Sequence, residues 1–201
     1  MDSPSASLPS ASHTELALSV ERAYREIWVV DRLSALWSVI LAKCLLAQWA
    51  IDNYAIPISG LRYIWSLTLI MAVIASALYL QAHRLKLSFL PNQLRVGSAV
   101  FAGLLINLGF IFYAHFALGA ISTVATYALA ATLLGGWSLV RATLRRAVEP
   151  LIAALLWWLI AGLMLRAAPN LSLLWLGLGF LGAQALPTFA LVARTQKTFR
   201  V

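Results

Sequence analysis

Acidic residues are scarce in this chain of 201 residues, which holds seven Asp and Glu against fifteen Lys and Arg. No long apolar stretch carries an acid near its middle, so these stretches lack the paired carboxylates that general acid–base catalysis uses. The same scarcity argues against a proton- or sodium-coupled carrier, because such carriers relay charge through intramembrane Asp or Glu. We therefore predict a protein that is not an enzyme.

Cysteine and histidine are also rare. Cys44 is the single cysteine, which excludes an intramolecular disulfide and a cysteine metal site. Of the three histidines, only His83 and His115 fall near apolar stretches, and they lie at opposite edges of the predicted membrane. That separation excludes a bis-histidine haem and a three-ligand metal site. We predict neither a metal nor a cofactor.

Charge of either sign is low, since 11% of the residues are charged and 62% are hydrophobic. Soluble domains carry about 25% charged residues, so this chain has too little polar surface for a water-soluble globule. The composition predicts an all-α, polytopic membrane protein. The net charge of +8 comes from small basic clusters between apolar runs. Such clusters orient a protein in a membrane and do not form a nucleic-acid footprint.

The apolar runs predict a six-helix transmembrane bundle over residues 33–193. One crossing needs about 20 apolar residues. The uncharged stretch from Val96 to Val140 is too long for one crossing, and Gly119 can take the positive φ of a turn within it. The six predicted crossings are Leu33–Ile51, Leu61–Leu80, Val96–Tyr113, Gly119–Val140, Ala147–Leu165 and Leu171–Ala193.

The segments flanking the bundle differ in composition. Residues 1–13 form a Ser/Pro/Ala tract that predicts a disordered tail. Residues 14–32 have one apolar face at helical spacing, which predicts an amphipathic helix lying in the membrane interface. The alternative is a solvated extension of the first crossing. Residues 194–201 are predicted to form a cytoplasmic tail.

Basic residues alternate between the predicted loops. Twelve lie before the first crossing, in every second loop and after the last crossing, whereas only Arg62 and Arg166 lie on the other side. Because Lys and Arg are enriched in cytoplasmic loops, both termini are predicted to be cytoplasmic. The chain is thus expected to be a multi-pass protein of the cell (inner or plasma) membrane, in contact with the lipid bilayer.

Lys43 lies in the middle of the first predicted crossing. An uncompensated charge at that depth costs at least a few kcal/mol. Three explanations are open. The lysine is neutral because of burial, it reaches polar groups or water in a bundle cavity, or its countercharge comes from a ligand, a lipid or a partner subunit.

Four polar residues of the predicted crossings join Lys43 in the candidate ligand-binding set, which is Lys43, Gln48, Asn107, Gln184 and Thr188. Two functions follow. In the first, these side chains line a cavity that binds or transports a small anionic or lipid-like ligand. In the second, the chain is an accessory or assembly subunit, and Lys43 pairs with an acid on a membrane or cytoplasmic partner. The sequence favours the first.

Two features of the last crossing have structural interpretations. "GLGFLG" at 177–182 matches the letters of a dinucleotide-binding motif, but no acidic residue follows it. We interpret Gly179 and Ala183 as a small-residue face for close helix contact. Pro187 removes one backbone donor and predicts a kink.

Trp157 and Trp158 lie in the middle of the fifth predicted crossing. They are interpreted as packing or lipid-facing bulk, with a ligand wall as the alternative.

Overall fold

The computed structural model describes residues 11–58, 61–83 and 92–199, and this part of the chain contains helices and no strand. Each of the first five predicted crossings lies mainly within one α-helix, and the sixth is divided among several helical segments. In chain order the elements are α1 Ala11–Asn53, α2 Leu61–Ala82, α3 Asn92–Phe116, α4 Thr123–Arg145, α5 Glu149–Arg166, a short 3₁₀ turn Pro169–Leu171, α6 Ser172–Gly179, a π-helical segment Phe180–Ala185 and α7 Leu186–Phe199.

Five helical segments of the described chain are long and apolar enough to cross a membrane. They are Tyr63–Ala82, Val96–Phe116, Thr123–Arg145, Glu149–Arg166 and Pro169–Arg194. A multi-pass membrane protein is therefore the class that this fold supports, and these segments agree with five of the predicted crossings to within a few residues. The remaining predicted crossing, Leu33–Ile51, lies within α1, which is not among the five.

Helix α1 is continuous over 43 residues. Residues 14–32 are therefore helical, as their periodicity indicates, but no break separates them from the apolar part that begins at Leu33. At about 1.5 Å per residue, α1 is roughly twice as long as a bilayer core is thick. Helix α1 begins at Ala11, and α7 extends to Phe199. Residues 1–10, 200 and 201 lie outside the described part.

The core of the bundle is built around the hairpin of α4 and α5. Trp157 and Met164 of α5 are fully buried and pack with Ala131 of α4, Leu176 of α6 and Ala183 of the π-helical segment. The hairpin turn is tight because Arg146 closes α4 in the left-handed conformation, with φ +49°, and a proline occupies the first turn of α5, where its missing N–H costs nothing.

Glycines let the helices of this core approach one another closely. A Cβ on Gly177 would lie 2.7 Å from Leu46 Cγ of α1, and one on Gly179 would lie 2.5 Å from the Trp157 ring. These distances are too short for any side chain. The glycines of "GLGFLG" at 177 and 179 thus serve helix contact, in agreement with the small-residue interpretation.

Helices α2 and α3 lie at the periphery. Ala72 is the one buried side chain among those described in α2, and α2 packs mainly on α1. Helix α3 packs on α4, and Leu104 is its buried contact. The turn after α3 contains Gly119 with φ +61°, as the sequence predicts. Most apolar side chains of α2 and α3 are exposed, as lipid-facing helices require.

Candidate functional site

Two ends of the bundle are named here by their acidic residues. At the Asp31 end, the α1 residue Asp31 lies beside the last turn of α4. At the Asp52 end, the last turn of α1 faces the C-terminus of α3 and the N-terminus of α4. Lys43 lies between them, more than three helical turns from Asp31 and two and a half turns from Asp52, which is about 18 Å and about 14 Å along the axis.

Lys43 is exposed and faces away from the core. It belongs to a stripe of exposed α1 side chains with helical spacing, made of Arg32, Leu36, Val39 and Lys43. We name this stripe the Lys43 face. A neighbouring stripe about 100° around α1, which includes Ala35, Ser38 and Ala42, is buried against α6 and α7. Among the described residues, Lys43 has neither an ion pair nor a hydrogen bond.

Gln48 joins α1 to α2. Its Oε1 accepts a hydrogen bond of 2.9 Å from Trp65 Nε1, and its Nε2 donates one of 2.8 Å to Asp52 Oδ1. A second indole makes a similar link nearer the Asp31 end, where Trp37 Nε1 donates to Ser76 Oγ over 2.8 Å. These two bonds attach α2, which buries little surface, to α1.

Asn107 lies on the exposed side of α3. Its Nδ2 donates to the carbonyl oxygen of Gly103 in the same helix over 2.8 Å. This bond lies within one turn of α3 and does not reach another helix. Asn107 is thus separated from the other four candidate residues in both packing and bonding.

Gln184 lies in the core, with 5% of its surface exposed. Its Oε1 accepts two hydrogen bonds of 3.2 Å, from Ser138 Oγ of α4 and from Trp157 Nε1 of α5. An amide oxygen has two lone pairs, so both are used. Gln184 therefore ties three helices together, and the Trp157 indole that the sequence places mid-span has a polar partner there.

The position of Gln184 depends on the π-helical segment Phe180–Ala185. Leu186 donates its backbone N–H to the carbonyl of Leu181, five residues earlier. Pro187 follows directly and has no N–H to continue the ordinary ladder. A π-turn adds one residue to the helical turn. At the proline where the sequence predicts a kink, the structure therefore has a change of helical register just upstream.

Thr188 belongs to a buried polar cluster that sequence reasoning missed. Arg141 Nη1 donates to Thr188 Oγ1 over 3.4 Å, and Arg141 Nη2 binds Asp31 Oδ1 at 3.1 Å. Arg145 Nη2 binds the same carboxylate oxygen at 3.1 Å. The side chains of Asp31 and Arg141 are 7% and 8% exposed. We name these four residues the Asp31 cluster.

A signal for this cluster does exist in the sequence. Arg141 and Arg145 are four residues apart, so they share one face of α4, and Asp31 borders the first apolar stretch at the same predicted edge of the membrane. In the topology prediction both arginines serve only as markers of orientation. Their placement at the same membrane edge as Asp31 also predicts an ion pair between them and this acid.

A cavity of about 370 Å³ opens at the Asp52 end, between α1, α3, α4 and the 3₁₀ turn before α6. Its polar lining includes the Asp52 carboxylate, His115 and Asn170, and its aromatic lining includes Trp49 and Tyr127. His115 Nδ1 lies 2.8 Å from the carbonyl oxygen of Ile121. A carbonyl can only accept, so Nδ1 carries the proton and, in the neutral ring, Nε2 is an acceptor.

The five candidate residues thus occupy separate environments. Gln184 and Thr188 are buried towards the Asp31 end, Gln48 bonds to Asp52 and α2, and Lys43 and Asn107 face outwards. Within the described residues, no group of three or more His, Cys, Asp or Glu side chains could hold a metal ion. Comparison with known proteins adds no family: no family model, curated protein or solved structure matches the chain.

Proposed function

We propose that this protein is a non-enzymatic accessory or assembly subunit, whose Lys43 face docks against a transmembrane helix of a partner that carries Asp or Glu. The observation that carries this proposal is the exposure of Lys43 mid-way along the apolar part of α1, with no ion pair or hydrogen bond in the described part of the chain. In this proposal, Leu33–Ile51 is a sixth crossing of the inner or plasma membrane, the Asp31 end is cytoplasmic, and residues 14–32 extend α1 on that side.

A second copy of this chain is a poor source for the countercharge. Copies that share an orientation place their acids at the same depth, and the three acids whose side chains are described lie far from the depth of Lys43. Asp31 binds two arginines, Glu149 binds Arg194, and Asp52 accepts from Gln48. The countercharge that fits Lys43 therefore belongs to a different polypeptide.

A lipid phosphate is also a poor source. The headgroup layers lie near the two ends of the apolar part of α1, about 14–18 Å from Lys43 along the helix axis. A lysine can bend its stem towards an interface, but that reach is shorter than either distance. A carboxylate on a neighbouring helix meets the ammonium at its own depth and removes much of the cost of burying it in lipid.

The arrangement of the other polar residues favours docking over a central ligand cavity. A binding site for an anionic ligand requires Lys43 to share a cavity with Gln184 and Thr188. Instead, Gln184 is saturated at its oxygen by Ser138 and Trp157. A ligand that displaced these bonds would have to replace each of them.

Photo-crosslinking from the Lys43 face tests the proposal. Benzoylphenylalanine in place of Val39 lies one turn from Lys43 and leaves the lysine intact, while the same probe in place of the exposed Leu159 of α5 is the matched control. We expect one discrete protein adduct from position 39 and none of that mass from position 159. Mass spectrometry then assigns the crosslinked peptide, which should contain an acidic residue inside an apolar segment.

The dependence of the adduct yield on the charge of residue 43 distinguishes a specific ion pair from mere proximity. Lys43→Arg should keep the adduct, and Lys43→Leu should reduce it by about tenfold or more, because a buried acid on the partner loses its cation. Adducts with lipid alone, or an adduct of equal yield in Lys43→Leu, would rule the proposal out.

A further inference from the structure

We propose that the cavity at the Asp52 end binds a small organic cation, meaning an ammonium group carried on an apolar body. This site is distinct from the Lys43 face, and the evidence for it is independent of the docking proposal. Its volume of about 370 Å³ lies within the usual range for small-molecule sites.

The charge of the cavity selects a cation. Among the side chains that the structure describes, Asp52 is the one acid in the lining, and no Lys or Arg contributes to it. Gln48 donates to Asp52 Oδ1, and no cation pairs with this carboxylate in the described part of the chain. The carboxylate thus has one positioned oxygen and further acceptor capacity.

Two of the remaining polar residues of the lining can also accept from a donor. Since His115 Nδ1–H donates to Ile121, its Nε2 is available as an acceptor when the ring is neutral. The side-chain oxygen of Asn170 adds another acceptor to the lining. An ammonium group has only donors, so it complements such a lining, whereas a carboxylate or phosphate would meet Asp52 as a like charge.

The aromatic groups complement the apolar body and the charge. Trp49, Phe116 and Tyr127 come from three different helices and all line the cavity. Aromatic faces attract cations, most strongly Trp, and add apolar contact area. A site that combines a carboxylate with several rings therefore distinguishes an organic cation from a metal ion, which needs several oxygen ligands.

Cyclohexylamine and cyclohexanol form a matched pair of probes, since they share a carbon frame and differ in charge. Binding of each to the purified full-length protein in lipid nanodiscs can be measured by saturation-transfer NMR and calorimetry, with empty nanodiscs as the blank. We expect the amine to bind at least about tenfold more tightly than the alcohol. Equal binding of the two, or no binding of the amine, overturns the proposal.

Asp52→Asn is the decisive variant because its side-chain oxygen can still accept from Gln48 while the charge is gone. It should weaken amine binding about tenfold or more and leave alcohol binding unchanged. Glu149→Gln is the matched control: it removes one carboxylate outside the cavity lining and should leave amine binding unchanged. If Asp52→Asn binds the amine as well as the parent does, the assignment of Asp52 is wrong.

A second variant keeps the test open if Asp52→Asn does not fold. Phe116 is 71% exposed and therefore tolerates substitution, and Phe116→Leu removes one ring from the wall. This change should weaken amine binding about two- to fivefold, with alcohol binding changed less. Equal losses for both probes would show that the ring supplies only apolar contact and would overturn the cation assignment.

Discussion

Arg141 and Asp31 are 110 residues apart in the chain, yet Arg141 Nη2 lies 3.1 Å from Asp31 Oδ1 in a contact that is almost closed to solvent. Arg145 reaches the same oxygen from the next turn of α4. This contact fixes where α1 meets the central α4–α5 hairpin. Because Arg141 also donates to Thr188, the Asp31 cluster joins α1, α4 and α7 at one end of the bundle.

Asp31→Asn should destabilise the folded protein by about 3–5 kcal/mol, because it leaves two guanidinium groups buried without their anion. Glu149→Gln is the control. It also removes an ion-paired carboxylate, but Arg194 in that pair is 70% exposed, so its loss should cost under about 1 kcal/mol. Equilibrium unfolding in detergent measures both values, and equal losses would contradict the importance assigned to the Asp31 cluster.

The fold and the Asp31 cluster differ in how far the sequence predicts them. Five of the six predicted apolar crossings and the turn at Gly119 follow from local chemistry and agree with the structure. The cluster depends on which helices are neighbours, a non-local property. Lipid tails are as apolar as the helix surfaces, so hydropathy gives no information about which helices pair.

Gly177→Ala should destabilise the protein by about 1–3 kcal/mol through overpacking. The new Cβ would lie 2.7 Å from Leu46 Cγ and 3.3 Å from the Leu46 backbone nitrogen, so a side-chain rotation alone does not relieve the contact. Gly162→Ala is the matched control, because nothing lies within 4 Å of its Cβ. That change should be neutral or stabilising by up to about 1 kcal/mol, given the helix propensity of alanine. Thermal unfolding of the two variants checks whether the first lowers stability and the second does not.

Gln184→Leu should cost about 2–4 kcal/mol, because it leaves the Ser138 hydroxyl and the Trp157 indole N–H buried without an acceptor. Asn107→Leu removes an amide of similar polarity from an exposed site where it bonds only to its own helix, and it should change stability by less than about 1 kcal/mol. The measurement is unfolding monitored by tryptophan fluorescence. If Asn107→Leu proved the more damaging of the two, the roles assigned here would be reversed.

The candidate set shows what residue type alone can predict. A polar residue inside an apolar run signals a special environment, and Gln48, Gln184 and Thr188 do each make specific contacts. The type of residue does not tell which side of its helix faces the core. Lys43 and Asn107 have the same signature as Gln184, but both face outwards, so the five residues could not be separated before the helices were placed.

The sixth crossing can be tested by cysteine accessibility in a Cys44→Ala background. If α1 crosses the membrane with the Asp31 end inside, a membrane-impermeant maleimide should label Ile56→Cys in intact cells, since Ile56 is 45% exposed at the Asp52 end. Ser12→Cys and Val148→Cys should react only after permeabilisation, because basic loops are retained in the cytoplasm. Labelling of Ser12→Cys and Ile56→Cys from the same side would mean that α1 does not cross. Lys43 would then lie outside the hydrocarbon core, and the energetic reason for a partner carboxylate would disappear with it.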